Sequence, residues 1–179
     1  SSAASDVYKR QAKTQSVEKM TDIFVVKRHD RGTEPLDLNK IHVMVEDACK
    51  GLSGVSASQV EMHAQLSFYD GITTADIQET LIRSASDLIS LECPNYQFVA
   101  ARLLLFALRK SLNGRMYDTI PLKEQVAFGV SMGVYDKSIQ SHYTDEELDI
   151  LDGYIDHDRD FKFTYAGLRQ VVDKYLVQD

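Results

Sequence analysis

The sequence predicts a mainly α protein: a small N-terminal β-hairpin cap over roughly four helices, followed by further helices. Three observations carry this reading. A short apolar run at Val25-Val26 and a second short stretch at Thr33-Glu34-Pro35 flank a polar turn at His29 to Gly32, the pattern of two short strands joined by a turn. Behind them, apolar residues recur at helical spacing, with capping residues ahead of each run and glycines after several of them. The chain has 179 residues, 44% of them apolar and 26% charged, which suits one globular domain or two small ones with a real core.

The first helix is written in Leu38, Ile41, Val45, Ala48 and Leu52, with Gly51 and Gly54 able to end it. Ser56 or Ser58 can cap a short helix carrying Val60, Met62, Leu66 and Phe68, which stops at the Asp70-Gly71 turn. Thr73 and Thr74 stand where a third helix begins, with Asp76 in place for a capping box and Ile77, Leu81, Ile82, Ala85, Leu88 and Ile89 on its apolar face. Cys93-Pro94 interrupts the pattern, since the residue before proline avoids helical angles. A long buried helix follows, marked by Tyr96, Val99, Ala100, Leu103, Leu104 and Leu108 and ending near Asn113-Gly114. After Gly114 three helices are expected. Pro121 opens one through Val126, Phe128 and Val130 to Gly133, Thr144 caps one carrying Leu148, Ile150, Leu151 and Tyr154, and the last carries Tyr165, Leu168, Val171, Val172 and Tyr175. They offer no site of their own and read as scaffold.

Residues 1–21 are small, polar and charged without periodicity, the composition of a disordered tail or of a segment foreign to the fold. The net charge of −7 repels nucleic acid and anionic membranes at long range, so neither is expected as a partner. Cys49 and Cys93 are the only cysteines and form no Cys-x-x-Cys pair, so neither a disulfide framework nor a thiolate metal site is indicated. No apolar run reaches the roughly 20 residues that span a bilayer, and the N-terminus lacks a secretory apolar core, which makes the cytoplasm the default location.

The chemistry concentrates between Val25 and Ile41. Lys27 and Arg28 lie at one end, Lys40 at the other, with carboxylates between them and a helix start beside them. A nucleoside triphosphate needs those parts: cations and free N–H groups for phosphate oxygens, and an acceptor for a base amino group or a sugar hydroxyl. Neighbours on a strand face opposite ways, so one of Lys27 and Arg28 enters the pocket, and Lys27 is favoured. Val25 lines the base or sugar through its backbone. Asp37 and Ile41 are one helical turn apart and face the same pocket, while Asp37 serves equally well as an N-cap. Thr74 offers a hydroxyl and a helix N-terminus to phosphate, or simply caps, or does both.

The order Val-x-Lys-Arg, Thr-Glu, Asn-Lys-Ile across residues 25–41 resembles the start of an ATP-cone, the nucleotide-sensing domain of class I ribonucleotide reductase large subunits of bacterial or phage type. The stretches Phe68 to Ile77, Pro94 to Leu103 and Tyr154 to Asp160 are also similar to that family, in the same order. The resemblance implies an ATP-cone at 22–113 and, at 114–179, the first helices of a catalytic domain whose barrel is absent. It implies ATP or dATP as allosteric effector, with Mg2+. The phosphates would be contacted by Lys27, Arg28 and Lys110, and the adenine and ribose enclosed by the segment holding Glu34, Asp37, Lys40 and Ile41. Catalysis by this stretch alone is not expected. In a complete family member the partners are other large subunits and a radical-generating small subunit.

Two departures from the family pattern stand out. The turn at His29 to Gly32 is one residue longer than usual, and Gln78 and Ala107 occupy positions where many bacterial relatives carry histidines tied to discrimination of ATP from dATP. Weak or absent inhibition by dATP is the expectation. Asp156-His157-Asp158-Arg159-Asp160 is read as a charge network between helices, not as a metal site or a catalytic base. Two other classes compete: an ATP-cone transcriptional regulator, which needs cysteine pairs and a basic face missing here, and a ligand-free helical interaction module, in which Lys27, Lys40 and Lys110 are merely solvated.

Overall fold

The computed structural model describes residues 23–27 and 32–176. β1 (Phe24–Val26) and β2 (Thr33–Pro35) pair antiparallel with Val25 opposite Glu34. Lys27 N–H donates to Gly32 O at 2.9 Å, closing the ladder. Arg28 and the turn residues His29 to Arg31 lie outside the described residues, as do residues 1–22. Residues 71–73 run along the free edge of β1. Gly71 N–H donates to Phe24 O at 2.8 Å, Val26 N–H donates to Ile72 O at 3.0 Å, and Val26 bridges Thr73 in parallel. Gly71, at φ 84°, takes the left-handed conformation that lets the chain enter this edge. The cap therefore gains a third short edge, whose Ile72 is buried beneath it.

Four helices pack under the cap. In α1 (Leu38–Cys49) the Asp37 carboxylate accepts from Asn39 N–H and Lys40 N–H, satisfying two donors of the first turn, and Ile41, Met44, Val45 and Ala48 are buried at the expected spacing. Its last carbonyls are taken by Arg102, which donates to Ala48 O and Lys50 O. In α2 (Ala57–Gln65) Val60 and Ala64 are buried, while Met62 and Leu66 point outward. The Ser56 side chain makes no capping bond; its N–H donates to the Tyr96 hydroxyl, which in turn donates to Gln59 Oε1. The expected stripe Val60, Met62, Leu66 is thus replaced by the true i, i+4 pair.

α3 (Thr74–Asp87) is capped by Thr73, whose hydroxyl accepts from Asp76 N–H and donates to the Asp76 carboxylate. Ile77, Leu81, Ile82 and Ala85 face inward, and Ile89 is exposed. α4 (Tyr96–Asn113) is the central helix. It buries Tyr96, Val99, Ala100, Ala101 and the run from Leu103 to Phe106, because α1, α3 and a helix from the end of the chain all pack around it. Gly114, at φ 76°, stops it in the left-handed conformation, its N–H donating to Lys110 O.

Downstream come α5 (Leu122–Ser131), α6 (Ser138–His142), α7 (Asp145–Asp152), a 3-10 helix (His157–Lys162) and α8 (Tyr165–Lys174). Pro121 precedes α5, and Thr144 with Glu147 forms a complete capping box on α7. The sequence pattern marked three helices here; α6 and the 3-10 helix are too short to show a period. α5 and α7 meet over a small cluster of Val126, Val130 and Leu148. The 3-10 helix and α8 instead return to the main core, where Leu168 is buried with Phe161, Tyr165 and Val172 beside it. Among the described residues no helix is long and apolar enough to cross a membrane.

Candidate functional site

A cavity open to solvent lies where the hairpin, the start of α1, the start of α3 and the end of α4 converge. Its walls are apolar where Val25, Leu36, Ile41, Met44, Ile77 and Met116 reach it, and polar where Glu34, Asp37, Lys40, Thr74, Gln78 and Lys110 do.

Local structure explains how each polar group arrives. Val25 and Glu34 are cross-strand partners on one face of the hairpin, and Lys27, two residues from Val25, shares that face. Its ammonium lies 2.7 Å from Glu34 Oε2. That hydrogen bond is the main reason the Glu34 carboxyl titrates below its usual range. Asp37 caps α1 and also stands 3.8 Å from Lys40 Nζ. Asp37 and Ile41, one turn apart, both line the cavity. Thr74 is the first residue of α3, so its hydroxyl and the helix start are presented together. Lys110 extends from the last turn of α4 and has no ion pair among the described residues.

Gln78 adds a further signal. Its Nε2 is buried and, among the described residues, has no hydrogen-bond partner. An unmet buried donor costs on the order of 1–3 kcal/mol, and here it belongs to a residue of the cavity wall. A ligand carrying an acceptor atom would remove that cost. Lys110 and the start of α3 add positive charge to the same lining.

Of the residues singled out from the sequence, Val25, Glu34, Asp37, Lys40, Ile41, Thr74 and Lys110 share this cavity. Lys27 does not line it and reaches it only through Glu34, at the rim. Its side chain runs diagonally across the hairpin instead of inward. Arg28 lies outside the described residues. Of the lining residues, sequence reasoning did not single out Pro35, Leu36, Met44, Ile77 or Met116. Met44 and Ile77 were legible, each three residues after a chosen residue on the same helix, Ile41 and Thr74. Met116 follows the end of α4 and carried no signal.

Elsewhere, Asp160 accepts from Arg109 Nη2 at 2.8 Å, and His157 Nδ1 lies 3.6 Å from the same carboxylate, so the acidic stretch ties the 3-10 helix to α4. Among the described residues no group of three or more His, Cys, Asp and Glu side chains is placed to hold a metal. Cys49 is half-buried, and burial pushes its thiol up to about 11, which leaves it protonated and unreactive near neutral pH.

The hairpin cap on four helices, with a cavity between them, defines a class that comparison with known families makes explicit. Residues 23–111 match the ATP cone domain, and the chain carries that domain. The likeness runs beyond it. The chain is 46% identical over 160 residues to ribonucleoside-diphosphate reductase 1 subunit alpha of Escherichia coli K12, covering 89% of this chain and 21% of that protein. It is 45% identical over 160 residues, with the same coverage, to the alpha subunit of Haemophilus influenzae. For the alpha subunit of Helicobacter pylori 26695 the identity is 40% over 157 residues, covering 88% and 19%. The chain thus spans about a fifth of the length of these relatives and corresponds to their N-terminal region. The family's description implies a nucleotide effector.

Proposed function

We propose that this chain is the allosteric region of a ribonucleoside-diphosphate reductase alpha subunit, and that the cavity binds ATP or dATP together with Mg2+. The observation that carries the reading is the convergence of Glu34, Asp37, Lys40, Thr74 and Lys110 with the apolar Val25 and Ile41 on one cavity inside the stretch that matches the ATP cone domain. Lys110, Lys40 and the start of α3 hold the phosphates. Val25, Ile41 and Ile77 supply apolar surface for the base, and Glu34 and Asp37 accept from the base amino group or the ribose hydroxyls. Both carboxylates already have partners, Lys27 and the α1 N-terminus, so Mg2+ enters with the nucleotide and is held by phosphate oxygens and water.

In the full-length protein the remaining four-fifths carries out the reduction of ribonucleotides to deoxyribonucleotides, with the small subunit as partner, and this region catalyses nothing alone. Nucleotide in the cone acts through its differential affinity for alternative packings of large subunits. Gln78 and Ala107 lead to weak or absent inhibition by dATP; strong shut-off of the full-length enzyme by micromolar dATP would contradict that part of the proposal.

Calorimetric titration of the chain with ATP in the presence of Mg2+ is the direct test. Saturable one-site heat that is lost in Lys110→Ala and weakened in Glu34→Gln supports the assignment. Equal binding by wild type and both variants places the ligand elsewhere.

A further inference from the structure

Two helices that line the cavity are also held, one residue away, by the end of the chain. On α3, Gln78 faces the cavity and the next residue, Glu79, lies 3.9 Å from Arg169 of α8. On α4, Lys110 faces the cavity and the preceding residue, Arg109, is buried and bonded to Asp160 of the 3-10 helix at 2.8 Å. Adjacent helical residues point about 100° apart, so each helix offers one side chain to the ligand and its neighbour to the downstream segment.

The second contact is reinforced by a ring. Phe161 lies under two guanidinium groups of α4, with Arg102 at 5.7 Å and Arg109 at 5.5 Å from its centroid, and it meets Phe106 edge-on. Leu168 then inserts α8 into the core that α3 and α4 share. Residues 157–174 therefore seat on α4, whose other face holds the cavity, and reach α3 through the Arg169–Glu79 pair.

We propose that residues 157–174 form the arm through which cavity occupancy is sensed by the rest of the chain. The proposal rests on the nucleotide reading above. A ligand bridging Gln78 and Lys110 fixes the relative position of α3 and α4, and that position is what Glu79 and Arg109 present to the arm. Occupancy and docking then stabilise one another, and linkage requires the effect to be reciprocal: whatever factor ATP contributes to docking, docking contributes to ATP affinity.

The test is hydrogen exchange on the whole chain, with and without ATP and Mg2+, alongside ATP titration of an Asp160→Asn, Phe161→Leu double variant. Neither substituted residue lines the cavity. The expected result is slower exchange on ATP addition both at 74–78 and at 157–174 in the wild type, and an ATP dissociation constant raised about fivefold or more in the variant, a coupling of ordinary size. ATP protection at 74–78 without any change at 157–174, or an unchanged dissociation constant in the variant, overturns the arm and leaves the nucleotide site standing. No protection at 74–78 overturns both. The wild-type exchange pattern decides even where the variant fails to fold.

Discussion

Up to Gly114, each of the four helices sends its apolar face into one shared core under the hairpin. After it, α5, α6 and α7 share only Val126, Val130 and Leu148, with Leu122 and Ile139 beside them, while Phe128, Met132, Ile150 and Leu151 face outward. Among the described residues the first core holds 22 buried side chains and the second three, so the stability of this chain resides in the first. α5 and α7 carry helical signals as clear as those of the first region. Amphipathic periodicity says that a face will be covered but not by what. In the first region the described residues cover those faces, and on α5 and α7 they leave Phe128, Met132, Ile150 and Leu151 exposed.

The largest effect expected from this contrast comes from making one substitution in each core. Leu81→Ala empties a fully buried position in the first core and should cost about 2–5 kcal/mol, a large share of the stability of a domain this size. Leu148→Ala, in the small cluster, should leave the main unfolding transition in place. Urea denaturation followed by circular dichroism compares them, and equal shifts would erase the distinction.

Leu168→Ala sharpens the boundary. It lies late in the sequence yet is buried in the first core, so it should destabilise the main transition by about 2–3 kcal/mol, behaving like Leu81 and unlike Leu148. A silent Leu168→Ala would assign α8 to the second region. Next in size is Thr144→Ala, which removes the capping box of α7. It should cost about 1 kcal/mol, confined to faster exchange at 145–152.

The smallest effect is a pH dependence in the first region. His42 Nδ1–H donates to Glu61 Oε1 at 2.8 Å, and this bond chiefly raises its pKa above the ordinary value, with Glu46 3.4 Å from its other ring nitrogen. A raised folded pKa means that the link between α1 and α2 is at full strength below the unfolded value of about 6.5 and is lost as pH rises through the higher folded value. His42→Gln should flatten the melting temperature over that window, and a variant with the wild-type slope would remove His42 from the account.

Much of this was legible in the sequence. The β-branched pair Val25-Val26, the Asp37 and Thr73 caps, and Gly114 as a helix stop are local features, and local features fix where elements begin and end. The site was legible to the extent that strand and helix periodicity place side chains on faces: Val25 with Glu34, and Asp37 with Ile41. What no local pattern shows depends on tertiary neighbours. Lys27 turns to Glu34 because the cross-strand register offers a carboxylate. Met62 and Leu66 stay outside because the buried face of α2 is centred on Val60 and Ala64. The orphaned Nε2 of Gln78 exists only once the walls around it are assembled. The return of α8 to the first core, over more than fifty residues of intervening chain, is a long-range pairing that no window of sequence contains.

On the proposed function, a nucleotide bound in the cavity between the hairpin, α1, α3 and α4 stabilises the first region. Thermal unfolding of the chain with Mg2+ and rising ATP, against GTP and against Lys110→Ala, tests it most directly. At about a hundred times its dissociation constant, ATP should add about 2.7 kcal/mol and raise the melting point by several degrees. GTP should give a smaller shift, and Lys110→Ala should keep its own melting point but lose the response to ATP. A melting point that ATP leaves unmoved, or that moves equally in Lys110→Ala, would contradict it.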